Sequence, residues 1–113
     1  MNKHIPLNIF PKELDDDSSE KPFIVDVRED DEIAMASFSF SVLHLPLSKA
    51  SNWSGKIEEL LPKDAPIVVV CHAGVRSLNF GIWLLEKGIR TTVWNLSGGI
   101  DAWSTDVDQS VPR

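Results

Sequence analysis

Apolar residues in this chain come in short blocks, and the spacing within each block predicts its element. Phe23 to Val27, "FIVDV", is a compact apolar run broken by one acidic position and reads as a buried strand. "REDDEIAMAS" follows, with an acidic first turn suited to the positive end of a helix and a short apolar face at Ile33 and Ala36. Ser41 to Leu47, "SVLHLPL", sets Leu43, Leu45 and Leu47 on one face and His44 on the other, the alternation of a strand. "SGKIEELLP" places Ile57, Leu60 and Leu61 on one helical face and stops at Pro62.

Ile67 to Val70, "IVVV", has no polar interruption, as expected of a central parallel strand covered on both faces. A helix from Arg76 to Lys87 is apolar on nearly all sides and ends at Gly88. "TTVWNL" reads as one more strand and "GGIDAWS" as a final short helix carrying Ile100 and Trp103. Near the N-terminus, Pro11 opens a helical turn, and "DDDSS" after it reads as a surface loop. Strand and helix alternate through most of the chain, which predicts an open, largely parallel α/β sheet with helices on both faces. Function in such sheets sits outside the carboxyl ends of the strands.

Composition narrows the classes. With 113 residues, 42% hydrophobic and 25% charged, the chain suits one compact domain. No apolar run approaches a membrane span, and "MNKHIPLNIF" lacks the apolar core of a signal peptide. The net charge of −6, much of it in "ELDDDSSE" and "REDDE", leaves no basic stripe for nucleic acid. Those acidic runs read as solvated loops and helix starts. One cysteine excludes an internal disulfide and four-cysteine metal sites, and without an export signal it fits a reducing cytoplasm.

That cysteine, Cys71, stands where the buried strand "IVVV" turns into a helix. The intervening loop must curl tightly, which Ala73 and Gly74 permit. Successive N–H groups in such a curl point inward as an anion nest, and the following helix adds positive potential. A thiolate there is favoured over the thiol, and a nucleophile already charged near neutral pH is expected. The competing reading, a buried cysteine acting as a small hydrophobe, suits a random position better than this one.

"CHAGVRS" together with "VWNLSGGIDAW" resembles the rhodanese-like family of sulfurtransferases in its single-domain form. "IVDVRE" and "LHLPL" resemble that family's earlier strand motifs, and the likeness runs from about Phe23 to Trp103. The chain departs from the pattern at "MASFSFSV", where the family often has His-Ile and then Gly. The resemblance implies a five-stranded, mainly parallel sheet between helices, a domain of 1–113 and a core of about 17–106. It also implies sulfur transfer through a persulfide on Cys71, from a donor such as thiosulfate to cyanide, a thiol or a protein acceptor. His72, Ala73, Gly74, Val75 and Arg76 would bind substrate, with the N–H groups of His72 to Arg76 stabilising charge on sulfur. Asp26 and Ser77 would support the loop, with Asp26 pairing with Arg76 across the sheet edge. No metal or organic cofactor is implied.

Helix capping with a surface ion pair is the competing reading for Asp26 and Arg28. His4, His44 and His72 do not show metal-ligand spacing with Cys71. Gly98 and Gly99 permit a close turn near the loop, and the four tryptophans read as packing residues. Two other functions compete. A Cys-dependent phosphatase needs a wider loop than the four residues between Cys71 and Arg76. A persulfide carrier or sensor charged by a protein partner is compatible with every residue named.

Overall fold

Among the described residues, five short and mostly apolar runs become strands: β1 (Leu7–Ile9), β2 (Phe23–Asp26), β3 (Leu43–His44), β4 (Ile67–Val70) and β5 (Trp94–Leu96). The computed structural model describes residues 5–16 and 22–112. His4 and the second half of the "DDDSS" loop lie outside the described residues. The strands form one sheet in the order β1-β5-β4-β2-β3, and every pairing is parallel. Among the described residues there are six α-helices: α1 (Pro11–Leu14), α2 (Asp30–Met35), α3 (Ala50–Trp53), α4 (Ile57–Leu60) and α5 (Val75–Glu86) in the connections, and α6 (Gly99–Asp106) after β5. Among the described residues no helix is long and apolar enough to cross a membrane.

The pleat divides the two central strands β2 and β4 between two cores. From β4 and its end, Ile67, Val69 and Cys71 join Trp53, Ile57, Leu61, Phe80 and Leu84 on the side of α3, α4 and α5. Val68 and Val70 point the other way, to Ile100 and Trp103 of α6 and to Phe38. All four residues of β4 are buried, which is why its sequence shows no alternation. The tryptophans pack: Trp53 meets Phe80 edge-on at 5.5 Å, and Trp103 meets Phe40 at 5.2 Å.

Ala50–Trp53, where no element was expected, forms α3, and the strand expected over "TTVWNL" is confined to Trp94–Leu96. Two further differences have a local cause. The strand expected from Ser41 to Leu47 pairs only at Leu43 and His44, and Leu45 adds one bond from its N–H to the Asp26 carbonyl. Pro46 has no N–H to extend the ladder, and the chain turns there into a 3-10 turn at Leu47–Lys49. Strand β1 was not expected at all. It is an edge strand with Leu7 and Asn8 exposed, so it carries no buried periodicity to read.

The connections leaving β2 and β4 depart to opposite faces, Phe38 packing on the α6 side and α5 on the other. Between neighbouring strands whose connections diverge in this way, a crevice opens at the carboxyl ends. Cys71 directly follows β4, at the carboxyl end of the sheet where these connections diverge.

Candidate active-site loop

The loop after β4 is shaped by one residue with a positive φ. Gly74 caps α5 at φ +99°, a conformation costly for any residue with a Cβ. Helix α5 begins directly afterwards at Val75, one residue earlier than the expected start at Arg76. Val75, Arg76 and Ser77 are therefore the first three helical residues, whose N–H groups have no partner within the helix. The Cys71 side chain, 1% exposed, lies under this turn. Gly74 N–H donates to Cys71 Sγ at 3.1 Å and Ser77 N–H at 3.4 Å, while the Ser77 hydroxyl is 3.2 Å away.

The carbonyls of the loop face the opposite way. Ile100 N–H donates to the Cys71 carbonyl at 2.8 Å, and Asp101 N–H donates to that of His72 at 3.1 Å. The first turn of α6 thus holds the Cys71 and His72 carbonyls, while the N–H groups that turn to the sulfur are those of Gly74 and Ser77 rather than the whole run from His72 to Arg76. Gly99 makes this approach possible: at φ +60°, a Cβ there would lie 2.3 Å from the Cys71 carbonyl oxygen. We expect Gly99→Ala to cost about 1–2 kcal/mol for the left-handed backbone alone, with the clash adding to it. Urea unfolding measures the loss, and a variant as stable as the parent would contradict this docking of α6 on the loop.

His72, Ala73 and Val75 form the exposed rim, Val75 being 64% exposed. Arg76 does not reach Asp26. Its guanidinium holds both carboxylate oxygens of Glu32, at 2.6 and 2.7 Å. The Arg76 hydrogen bond keeps the Glu32 carboxyl at about 2, below its ordinary value, against the opposing effect of burial. The same bond raises Arg76. The depressed Glu32 value favours the native state fully above the ordinary carboxyl range, and that contribution fades as pH falls towards about 2. Both partners are about one-third exposed, so solvent keeps the pair's worth to about 0.2–1 kcal/mol.

Asp26 instead holds Arg28, and this corrects both readings of it. The pair is buried, at 2% and 1% exposure, so it is not a surface ion pair. Arg28 Nη2 donates to Asp26 Oδ2 at 2.9 Å, and Arg28 Nε lies 3.1 Å from both oxygens. Arg28 N–H also donates to Asp26 Oδ1, closing a local turn. His44 Nε2 donates to the Arg28 carbonyl at 2.6 Å, which fixes its ring beside this turn and away from the thiol.

Residues 10–106 match the family model described as "Rhodanese-like domain". The chain belongs to the rhodanese-like family. It is 38% identical over 90 residues to the Arabidopsis thaliana rhodanese-like/PpiC domain-containing protein 12, chloroplastic, covering 79% of this chain and 29% of that longer protein. It is 28% identical to the thiosulfate sulfurtransferase GlpE of Pseudoalteromonas translucida, covering 98% of this chain and 97% of that one. Among solved structures, a rhodanese-like domain protein from Staphylococcus aureus superposes with a TM-score of 0.70. That structure is 28% identical, covering 94% of this chain and 96% of that one. The expected family and the five-stranded α/β fold are thereby shown, with a sheet that is wholly rather than mainly parallel.

The rhodanese-like loop brings together Cys71, Gly74 and Ser77, and leaves Asp26 with Arg28 one strand away. Two neighbours escaped the sequence reading. Glu32 lies 44 positions from its partner Arg76, and nothing local links them. Asn95 donates through Nδ2 to the Gly74 carbonyl at 3.0 Å and accepts from the Ser77 hydroxyl at 2.5 Å. It is the one polar residue of β5, and a polar position inside an apolar strand was the signal available for it.

Proposed function

We propose that the protein is a sulfurtransferase that carries sulfane sulfur as a persulfide on Cys71. The observation that supports this reading is the convergence of two N–H donors on Cys71 Sγ at the carboxyl end of the central strand. Likeness to a named thiosulfate sulfurtransferase over nearly the full length of both chains adds to it. In the first step the Cys71 thiolate attacks the outer sulfur of thiosulfate. A new S–S bond forms, the donor's S–S bond breaks, and its electron pair leaves with sulfite. In the second step cyanide or a thiolate attacks the terminal sulfur, and the electron pair returns to Cys71 as thiolate. This is covalent catalysis split into two displacements. The donors around Sγ stand ready for negative charge on sulfur before reaction begins. We assign the residues 1–113 to one such unit.

A second reading, a carrier loaded by a partner protein's persulfide, is favoured by one observation. Arg76, the only fixed cation between Cys71 and Ser77, is already neutralised by Glu32. A dianionic donor therefore meets a rim of His72, Ala73 and Val75, on a protein of net charge −6. The same engagement of Arg76 argues against a phosphatase, whose loop arginine must be free to hold a phosphoryl group.

Thiosulfate is thus expected to be turned over with a high KM. Glu32→Gln, which removes the competing carboxylate, should lower that KM about three- to tenfold with a smaller change in kcat, since added charge binds ground and transition states alike. The rate should also become more sensitive to salt. An unchanged KM in steady-state assays with cyanide as acceptor would show that Arg76 takes no part in holding the donor. Ala73→Lys should act in the same direction.

A further inference from the structure

In the buried triad Cys71–Ser77–Asn95 the Ser77 hydroxyl has one proton for two contacts, and the neighbouring acceptors decide where it lies. Asn95 is 5% exposed and Ser77 is wholly buried. The Gly74 carbonyl can only accept, so the Asn95 atom 3.0 Å from it is Nδ2, and Oδ1 faces Ser77. Oδ1 can only accept in turn, so the single Ser77 hydroxyl proton lies in the 2.5 Å contact with Asn95. Ser77 Oγ then offers a lone pair to Cys71 Sγ, and in the thiol the S–H donates across that 3.2 Å gap.

We propose that Asn95 is a positioning residue: by holding the Ser77 proton, it keeps the hydroxyl an acceptor towards Cys71 rather than a third donor. The consequence concerns reactivity and rests on the sulfurtransferase reading above. An anionic Cys71 sulfur then keeps two N–H donors, from Gly74 and Ser77, and gains the hydroxyl only if Asn95 Oδ1 loses its buried partner. In the transition state the charge has moved from the attacking sulfur towards the departing sulfite. A third donor on the attacking sulfur would favour the ground state over that transition state and slow the step. Asn95 suppresses that donor.

The chain's single cysteine makes the test direct, because its S–H stretching band belongs to Cys71 alone. Infrared spectra of the full protein in mildly acidic solution, with no sulfur donor present, should show a wild-type band lowered by hydrogen bonding. Ser77→Ala removes the acceptor, and Asn95→Leu releases the hydroxyl proton to turn towards sulfur. Both should move the band up towards the free-thiol position. In single-turnover assays, Asn95→Leu should form the Cys71 persulfide from thiosulfate several-fold more slowly, since that is the step in which the Cys71 sulfur loses charge. That slowing should vanish when Ser77→Ala is already present, because Asn95 acts through the hydroxyl. A wild-type band at the Ser77→Ala position would overturn the proton assignment without needing any variant of Asn95. A band unmoved in Asn95→Leu would overturn the role of Asn95. Failure of the wild type to transfer sulfur would count against the sulfurtransferase reading, while the band still decides the placement of the proton.

Discussion

Asp26→Ala is expected to lower the stability of the fold by about 3–5 kcal/mol, the cost of leaving a buried charge without its partner. Arg28 is 2% exposed and directs Nε and Nη2 to the Asp26 carboxylate. What remains to it is a long contact from Nη1 to the Glu32 carbonyl at 3.4 Å, the Phe38 ring 5.9 Å away, and a through-space attraction to the Glu32 carboxylate, whose oxygens Arg76 already holds. None of these replaces a hydrogen-bonded carboxylate. A domain of this size is stable by about 5–15 kcal/mol, so the loss is a large fraction of the total. Asp26→Asn keeps an acceptor and the shape but not the charge, and should fall between wild type and alanine. Urea unfolding followed by tryptophan fluorescence gives the comparison. A loss in the alanine variant below about 1 kcal/mol, the range of exposed pairs, would mean that Arg28 finds solvent when released.

That pair also bears on the site. Asp26 lies opposite Val70 in the parallel register, one residue before Cys71, and Val27 N–H donates to the Val70 carbonyl. Arg28 leads into α2, where Glu32 both receives the Glu29 N–H as a helix cap and holds Arg76. The buried pair thus anchors the segment from which Glu32 reaches the Cys71 loop.

Cys71→Ser should abolish sulfur transfer to the uncatalysed background while leaving the protein folded. The serine oxygen is a poor nucleophile towards sulfane sulfur and forms no persulfide. The substitution is small, and a hydroxyl at this position meets the Gly74 and Ser77 donors already directed at Sγ, so its polarity is satisfied. After thiosulfate treatment and non-reducing mass spectrometry, the wild type should carry one added sulfur atom that cyanide removes. The variant should carry none. Turnover surviving in Cys71→Ser would end the proposed mechanism, since the chain has no second thiol to take over.

The hydrophobic pattern by itself determined β2, β4, β5, α5 and α6 as elements, because each buries a continuous stripe that is visible locally. It also located the cysteine at a strand end before a Gly-containing turn, and the motif order carried the family. Tertiary structure alone decided the partners. Asp26 chose Arg28 because both are buried within one turn, whereas Arg76 lay closer to Glu32 on a helix 44 positions away in sequence. Strand β1 is an exposed edge, so it left no alternation to read, and Pro46 shortened β3 by withholding one N–H. Asn95 joined the site because parallel pairing of β4 and β5 sets it against the loop that follows Val70. Hydrophobic periodicity reports which face of an element is buried; which polar group meets which depends on register and crossing, and those exist only once the sheet is assembled.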